Sequence, residues 1–304
     1  MTLVIGTDEA GYGPNLGPLV VAASVWEVAG EPEAADRVLG EAGAAAADVW
    51  GDSKRFFHVG SGLGPLERGA LAAVIAASGR LPSDAHALAD VLAAGAIADA
   101  GDPRTIPLPH ANGADSCTGL AAALAERLAA LGVRLMAVRC RVIDPREFNR
   151  LLDTGLNKSD ILSQATLDLA ASLAHDAPAA VLVWCDRHGG RKRYAGALAR
   201  AFATPLVEVL DETPARSAYR LGPRGPQVEF QVGGEARMPV AVASMTAKYV
   251  RELSMAAFNA HWSARVPGLR ATAGYPVDAR RWREEAAVAV EAAGVAWDDL
   301  WRRA

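Results

Sequence analysis

The chain has 304 residues, 51% hydrophobic and 22% charged, which is enough apolar material for a large core and too little charge for disorder at scale. A net charge of -4 excludes the strongly basic surface of a nonspecific nucleic-acid binder, so any polyanion must be held by local patches. Cys117, Cys140 and Cys185 have neither disulfide-framework nor zinc-knuckle spacing, and no apolar run approaches the roughly 18 residues of a membrane span. There is no basic-then-apolar leader either, and a cytoplasmic location is expected.

The chain opens with Leu3-Val4-Ile5-Gly6-Thr7-Asp8-Glu9-Ala10-Gly11-Tyr12-Gly13-Pro14. An apolar run of strand length ends on two adjacent carboxylates and enters glycines that admit close backbone approach. Apolar character resumes as a second strand at Gly17-Pro18-Leu19-Val20-Val21-Ala22-Ala23. Adjacent strand side chains point to opposite faces, so Asp8 and Glu9 reach one cation only if the chain twists at the strand end. Hard cations such as Mg²⁺ take carboxylate oxygen, often from one or two protein carboxylates plus substrate phosphate. A solvated turn is the alternative for an isolated Asp-Glu pair.

Residues 30–47 predict a helix, ending at Trp50-Gly51-Asp52-Ser53-Lys54, where Asp52 and Ser53 suit a cap. Residues 65–98 predict two helices punctuated by Gly79-Arg80-Leu81-Pro82-Ser83, followed by a Pro-, Gly- and Asp-rich loop over 101–117 and a helix over 118–131. His110 and Asp115 in that loop are given no role. Residues 133–143 predict a strand, and Asp144-Pro145 starts a helix with an acidic cap and then proline. Asn157-Lys158-Ser159-Asp160 opens a long amphipathic helix, on which Lys158 reads as a surface lysine, with a substrate contact from the helix start as the alternative.

Ala179-Ala180-Val181-Leu182-Val183-Trp184-Cys185-Asp186 is an unbroken apolar run of the kind covered on both faces of a sheet, and it ends in an acid. A carboxylate at the C-terminal end of a central strand is where α/β sheets place ligand groups, which joins Asp186 to Asp8. The following Arg187-His188-Gly189-Gly190-Arg191-Lys192-Arg193 sets cations beside that acid, as a phosphate backbone entering a metal site requires. A helix over 191–203, a strand over 205–210, an exposed loop over 213–226 with Arg216, Arg220 and Arg224, and a strand over 228–232 come next. The helix over 242–262 carries Lys248 and Glu252 at i,i+4 on one face, opposite an apolar stripe of Met245, Tyr249 and Leu253. Alone, that pair reads equally as an exposed ion pair. Arg265, Arg270, Arg280, Arg281 and Arg283 form either a second basic patch or a solvated face.

Gly6-Thr7-Asp8-Glu9-Ala10-Gly11-Tyr12-Gly13 with Gly17-Pro18-Leu19-Val20-Val21-Ala22-Ala23 resembles the opening of the type 2 ribonuclease H family, the ribonucleases HII and HIII. Asp52-Ser53-Lys54 resembles that family's Asp-Ser-Lys element, and Val183-Trp184-Cys185-Asp186 the strand ending in its third acid. Ala243-Ser244-Met245-Thr246-Ala247-Lys248-Tyr249-Val250-Arg251-Glu252 resembles the helix bearing its fourth acid, and Gly274-Tyr275-Pro276 a later Gly-Tyr. The resemblance covers the start and most of the second half, whereas residues 60–135 match no part of it.

The resemblance implies an α/β, ribonuclease H-like fold, a central mixed sheet flanked by helices with a helical insertion and a helical C-terminus. One catalytic domain would span 1–304, with an inserted segment at about 60–135 decorating it and a C-terminal helical extension at about 265–304. The implied activity is metal-dependent endonucleolytic hydrolysis of the RNA strand of RNA-DNA hybrids, leaving 3′-hydroxyl and 5′-phosphate ends. Asp8, Glu9, Asp186 and Glu252 would hold two divalent ions, Mg²⁺ or Mn²⁺. Gly11, Tyr12, Gly13, Lys54, Arg187, Lys248 and Tyr275 would contact substrate. Nucleic acid is the implied partner; no membrane and no obligate protein partner are implied.

Two departures stand out. Glu252 occupies a position where the family has Asp, and Gly11-Tyr12-Gly13 stands where the HII branch has Gly-Arg-Gly, so the turn's amides persist without the guanidinium. A same-fold nuclease acting on DNA is the alternative that the altered turn favours. A noncatalytic nucleic-acid-binding relative is the one that Glu252 and the inserted segment favour.

Overall fold

A computed structural model describes residues 1–57, 62–95, 106–175, 177 and 180–303. The end of the helix pair predicted over 65–98, the start of the loop predicted over 101–117 and Ala179 lie outside the described residues.

Strands β1 (Thr2–Ala10), β2 (Leu19–Val28), β3 (Val133–Ile143), β4 (Ala180–Asp186), β5 (Val207–Glu212), β6 (Arg216–Leu221) and β7 (Gln227–Gln231) form one sheet in the order β3-β2-β1-β4-β7-β6-β5. β1 runs parallel to β4, and β4 to β7, while the other neighbours are antiparallel. The sheet is therefore mixed, with its parallel strands in the middle, where helices cover both faces.

The alternation along β1 and β4 shows why. Val4 and Trp184 turn to one face, where they pack with helices α1 (Pro32–Ala45), α3 (Gly64–Ser78), α5 (Ala114–Ala129) and α9 (Met238–Ser263). Ile5, Val181, Val183 and Cys185 turn to the other, against α7 (Lys158–Ala174) and α8 (Ala195–Ala201). Burying both faces requires the unbroken apolar run seen in β4. A third cluster joins Leu16 to Trp262, Trp282, Val290 and Leu300, so that α10 (Pro276–Ala292) and the chain beyond it pack under the turn after β1.

Gly6 fixes how closely the 26-residue α9 crosses β1. A Cβ there would lie 2.2 Å from the carbonyl carbon of Pro239. The Ser24 hydroxyl on β2 donates to the Pro239 carbonyl at 2.6 Å and accepts from Trp26 Nε1 at 2.7 Å, pinning the first turn of α9 onto the sheet.

Three expectations are corrected. The segment over 60–135 is not a decoration: Leu66, Leu71 and Val74 of α3, Leu88 and Leu92 of α4 (Ala85–Leu92) and Leu124 of α5 belong to the same core as Val4 and Trp26. The buried Glu67 carboxylate draws the loop onto it, accepting from the His110 and Ala111 amides, Asn112 and the Tyr249 hydroxyl. Residues 213–226 are not one exposed loop either. They contain β6, whose Ala218, Tyr219 and Leu221 are buried. The helix predicted over 191–203 is shorter, beginning only at Ala195.

Candidate active site

β1 and β4 end side by side. Thr7 pairs with Cys185 in the parallel register, which makes Asp8 and Asp186 the next residue on each strand. Asp8 is buried, and its carboxyl is pushed up to about 7, by burial first and then by the charge of Asp186. Glu9 is pushed well above the usual carboxylate range by burial, then by Asp8 and Asp186. The strand does not unwind to bring the pair together: β1 continues to Ala10, and the Glu9 amide donates to Asp8 Oδ1 at 2.7 Å. Asp186 is also raised by burial, while the amides of Gly234, Arg187 and Gly233 and the nearby Lys54 favour its anion. Gly234 N to Asp186 Oδ1 is 2.8 Å, and a Cβ on Gly234 would press on the Asp186 backbone at 3.0 Å.

A fourth acid stands in this group, and sequence reasoning missed it. Glu235 follows the amides that hold Asp186, and its charge acts on Asp8. Its carboxylate pairs with Lys54 Nζ at 2.7 Å. Lys54 sits on the short helix α2 (Ser53–Phe56), capped by Asp52 through the Lys54 amide at 2.9 Å. The Ser53 hydroxyl meets that of Ser244 at 3.3 Å, and Ser244 in turn hydrogen-bonds Asp8, tying α2 and α9 to the acid at the end of β1. A cavity of about 830 Å³, lined by Gly51, Asp52, Arg55, Gly233, Glu235 and Arg237, opens beside these groups. The one sequence signal for Glu235 is an acid in Gly233-Gly234-Glu235, just before the proline that starts α9.

Glu252 is placed differently from expectation. Its carboxyl is raised by burial and drawn back by Arg251 and Lys248; Asp8, Glu9 and Asp186 are not among the charges acting on it. Arg251 Nη1 is 3.5 Å away. Lys248 turns to the end of α2, donating to the Phe57 carbonyl at 3.1 Å and lying 5.1 Å from that ring's centroid.

Arg187 is a correction. It is buried and donates to the carbonyls of Thr213 and Pro214 and to the Ser217 hydroxyl, so it braces the β5–β6 connection and is withheld from substrate. Arg216 and Arg220 are likewise paired, with Asp211, Glu229 and Glu208. Arg270 and Arg281 pair with Glu285, a solvated face rather than a free patch.

The glycine turn lies over the acids. Tyr12 is raised by burial and by Glu9, and a Cβ on Gly189 would touch its hydroxyl at 3.4 Å. Gly11 has φ +86°, and a Cβ there would strike the Pro18 carbonyl at 2.5 Å and Arg251 at 2.7 Å, so glycine is required. Exposed Tyr275 stands 3.7 Å from where a Cβ on Gly13 would be. Buried Arg302 fastens the turn from beneath, donating to the carbonyls of Gly11 at 2.6 Å and of Pro14. Burial and Arg251 pull its guanidinium down to about 9.

Among the described residues, no three His, Cys, Asp or Glu side chains stand so as to enclose a metal ion by themselves. The donor chemistry nevertheless fits a hard divalent cation. The Asp8 and Glu9 carboxyls are both raised by burial and by neighbouring acids, Asp186 acting on Asp8 and both Asp8 and Asp186 acting on Glu9, and a cation relieves that repulsion. Mg²⁺ commonly takes one or two carboxylates and completes its shell with water and substrate phosphate.

Such a group of acids at the C-terminal edge of parallel strands defines a ligand site of the α/β sheet class. No family model matches the sequence, and no curated protein matches it. Solved structures do. Ribonuclease HII from Archaeoglobus fulgidus, seen in a complex with PCNA, is 15% identical over 99% of this chain and 94% of that one, with a TM-score of 0.47. Ribonuclease H2 from Pyrococcus horikoshii is 15% identical over 98% and 92%, TM-score 0.48. Bst ribonuclease HIII in complex with Mn²⁺ is 16% identical over 99% of this chain and 66% of that one, TM-score 0.46. These are the two ribonuclease groups that the sequence motifs resemble. The central mixed sheet flanked by helices is the α/β architecture expected from the sequence.

Proposed function

We propose that the chain is a metal-dependent endonuclease of the ribonuclease H type that hydrolyses the RNA strand of RNA-DNA hybrids. The observation that carries this reading is the pairing of Asp8 with Asp186 at adjacent parallel strand ends, each beside a further acid. Asp8, Glu9, Asp186 and Glu235 hold two divalent ions, Mg²⁺ or Mn²⁺. Glu235 takes the fourth place expected for Glu252, because its charge acts on Asp8, whereas the charges acting on Glu252 are those of Arg251 and Lys248. When bound, the ions supply an activated water and stabilise the leaving oxygen. The protein's own part is positioning. The amides of Gly233, Gly234 and Arg187 favour the anion of Asp186 against the effect of burial, Ser244 orients Asp8, and Lys54 offers its ammonium to phosphate. Exposed Tyr275 beside Gly13 packs against the nucleotide next to the cleaved bond, and the amides of Gly11 and Gly13 approach the 2′-hydroxyl that marks RNA. Glu252 and Lys248 support this wall without touching the ions. One catalytic domain over 1–304, acting on nucleic acid in the cytoplasm, belongs to the same reading.

The test is cleavage of end-labelled RNA-DNA hybrid, of duplex DNA with one embedded ribonucleotide and of plain duplex DNA, in Mg²⁺ and in Mn²⁺, by wild type and Asp186→Asn. Hybrid cutting that needs metal and disappears in the variant is expected. Cutting of plain DNA with the hybrid intact would replace the reading with a DNA nuclease, which the absence of arginine at Tyr12 favours. No cutting with either metal would leave a binding module.

A further inference from the structure

The ammonium of Lys158 lies 4.6 Å from the centroid of the Tyr12 ring. Everything else around it is unfavourable to a cation. It is the first residue of the 17-residue α7, whose N-terminal amides and dipole disfavour positive charge. The acids of that helix end are already engaged: Asp160 closes the capping box with Asn157 and pairs with Arg191. Burial and buried Arg302 both push the ammonium toward losing its proton. Among the described residues no carboxylate pairs with Lys158, and a single cation–π contact at a partly exposed site offsets little of this. Nearby, Arg251 and Arg302 each keep a buried Nε with no hydrogen-bond partner. Three cationic side chains, Lys158, Arg251 and Arg302, thus meet at the Gly11-Tyr12-Gly13 turn, and Lys158 has no acid partner among the described residues.

We propose that Tyr12 and Lys158 form one phosphate-positioning contact on the nucleic-acid strand beside the carboxylate group, the ammonium carried on the phenol ring replacing the guanidinium missing from the turn. This rests on the nuclease reading above. The ring has the right neighbours for the task, with Glu9 and Gly189 on one side and Lys158 on the other. It thereby links the metal-holding acids to the next phosphate along the strand. The arginine of the Gly-Arg-Gly turn is split into two residues, a platform from β1's turn and a charge from α7.

The test is fluorescence-anisotropy binding of labelled RNA-DNA hybrid and of labelled duplex DNA, in EDTA, across a salt series. Each phosphate contact contributes about 0.9 to the slope of log K against log salt. Lys158→Gln is expected to lower the slope by about one on whichever duplex binds, and Lys158→Arg to restore it. Tyr12→Phe keeps the ring and the slope, whereas Tyr12→Leu loses what Lys158→Gln loses. Arg134→Gln, at the opposite end of the sheet and paired with Glu27, changes nothing. An unchanged slope in Lys158→Gln overturns the contact while wild-type hybrid cleavage still upholds the ribonuclease reading. Wild type that neither binds a duplex in EDTA nor cleaves hybrid with either metal overturns both.

Discussion

Lys54 Nζ and a Glu235 carboxylate oxygen are 2.7 Å apart, and the same ammonium favours the charged forms of Asp8 and Asp186 less directly. A lysine with 73% of its side chain exposed therefore occupies, electrostatically, the place of a divalent ion. Metal binding to Glu235 has to displace it. Lys54→Met should tighten Mn²⁺ binding about two- to fivefold, the worth of an exposed ion pair, in calorimetric titration. It should also weaken hybrid binding, since the released ammonium is the one offered to phosphate.

The raised carboxyl of Asp8 makes the metal-free protein sensitive to pH. Its folded value of about 7 exceeds the unfolded value of 3.8, so the folded state holds the proton more tightly. The stability this contributes is complete below about pH 4 and is lost as pH rises through 7. In EDTA, Asp8→Asn should melt above wild type at pH 8, with the difference shrinking to little at pH 4. With metal the direction reverses, because protons must leave Asp8 and Glu9: apparent Mn²⁺ affinity should climb as pH rises through about 7.

Glu235→Gln and Glu252→Gln separate the two candidates for the fourth acid. Loss of a supporting partner typically costs about 10- to 100-fold in metal affinity or activity. Glu235→Gln should cost more than that in hybrid cleavage at saturating substrate, and Glu252→Gln less than about tenfold. The reverse order would return Glu252 to the site.

Gly6 tests the seam between β1 and α9. Gly6→Ala drives a methyl against the Pro239 backbone and should lower stability by about 1–3 kcal/mol or more, read as a shift of the urea midpoint. Gly40→Ala, inside α1 with nothing within 4 Å of its added Cβ, should raise stability by up to about 1 kcal/mol.

Asp8 and Asp186 were legible in the sequence because each ends an apolar strand, and strand-terminating acids have few structural reasons to exist. Val133–Ile143 was legible residue for residue, being apolar at alternate positions and followed by an acidic cap and proline. Glu235 was not legible. It lies in a turn with no periodicity, and only the placing of β7 beside β4 brings it to Asp186. Arg187 misled because a basic cluster beside an acid says nothing about which side chain turns inward; the Thr213 and Pro214 carbonyls decide it. The helices between 62 and 130 were visible as periodicity, but a periodic stripe reveals an apolar face without naming what it packs on.

The guanidinium of Arg302 reaches the carbonyl of Gly11 across 291 positions of chain. Synthesis runs from residue 8 toward residue 302, so Asp8 and Glu9 are made well before Arg302. Throughout that interval the nascent polypeptide carries the acids without the clamp that fixes the turn over them. A chain cut short before residue 302 therefore carries its acids without the contacts that Arg302 makes to the turn.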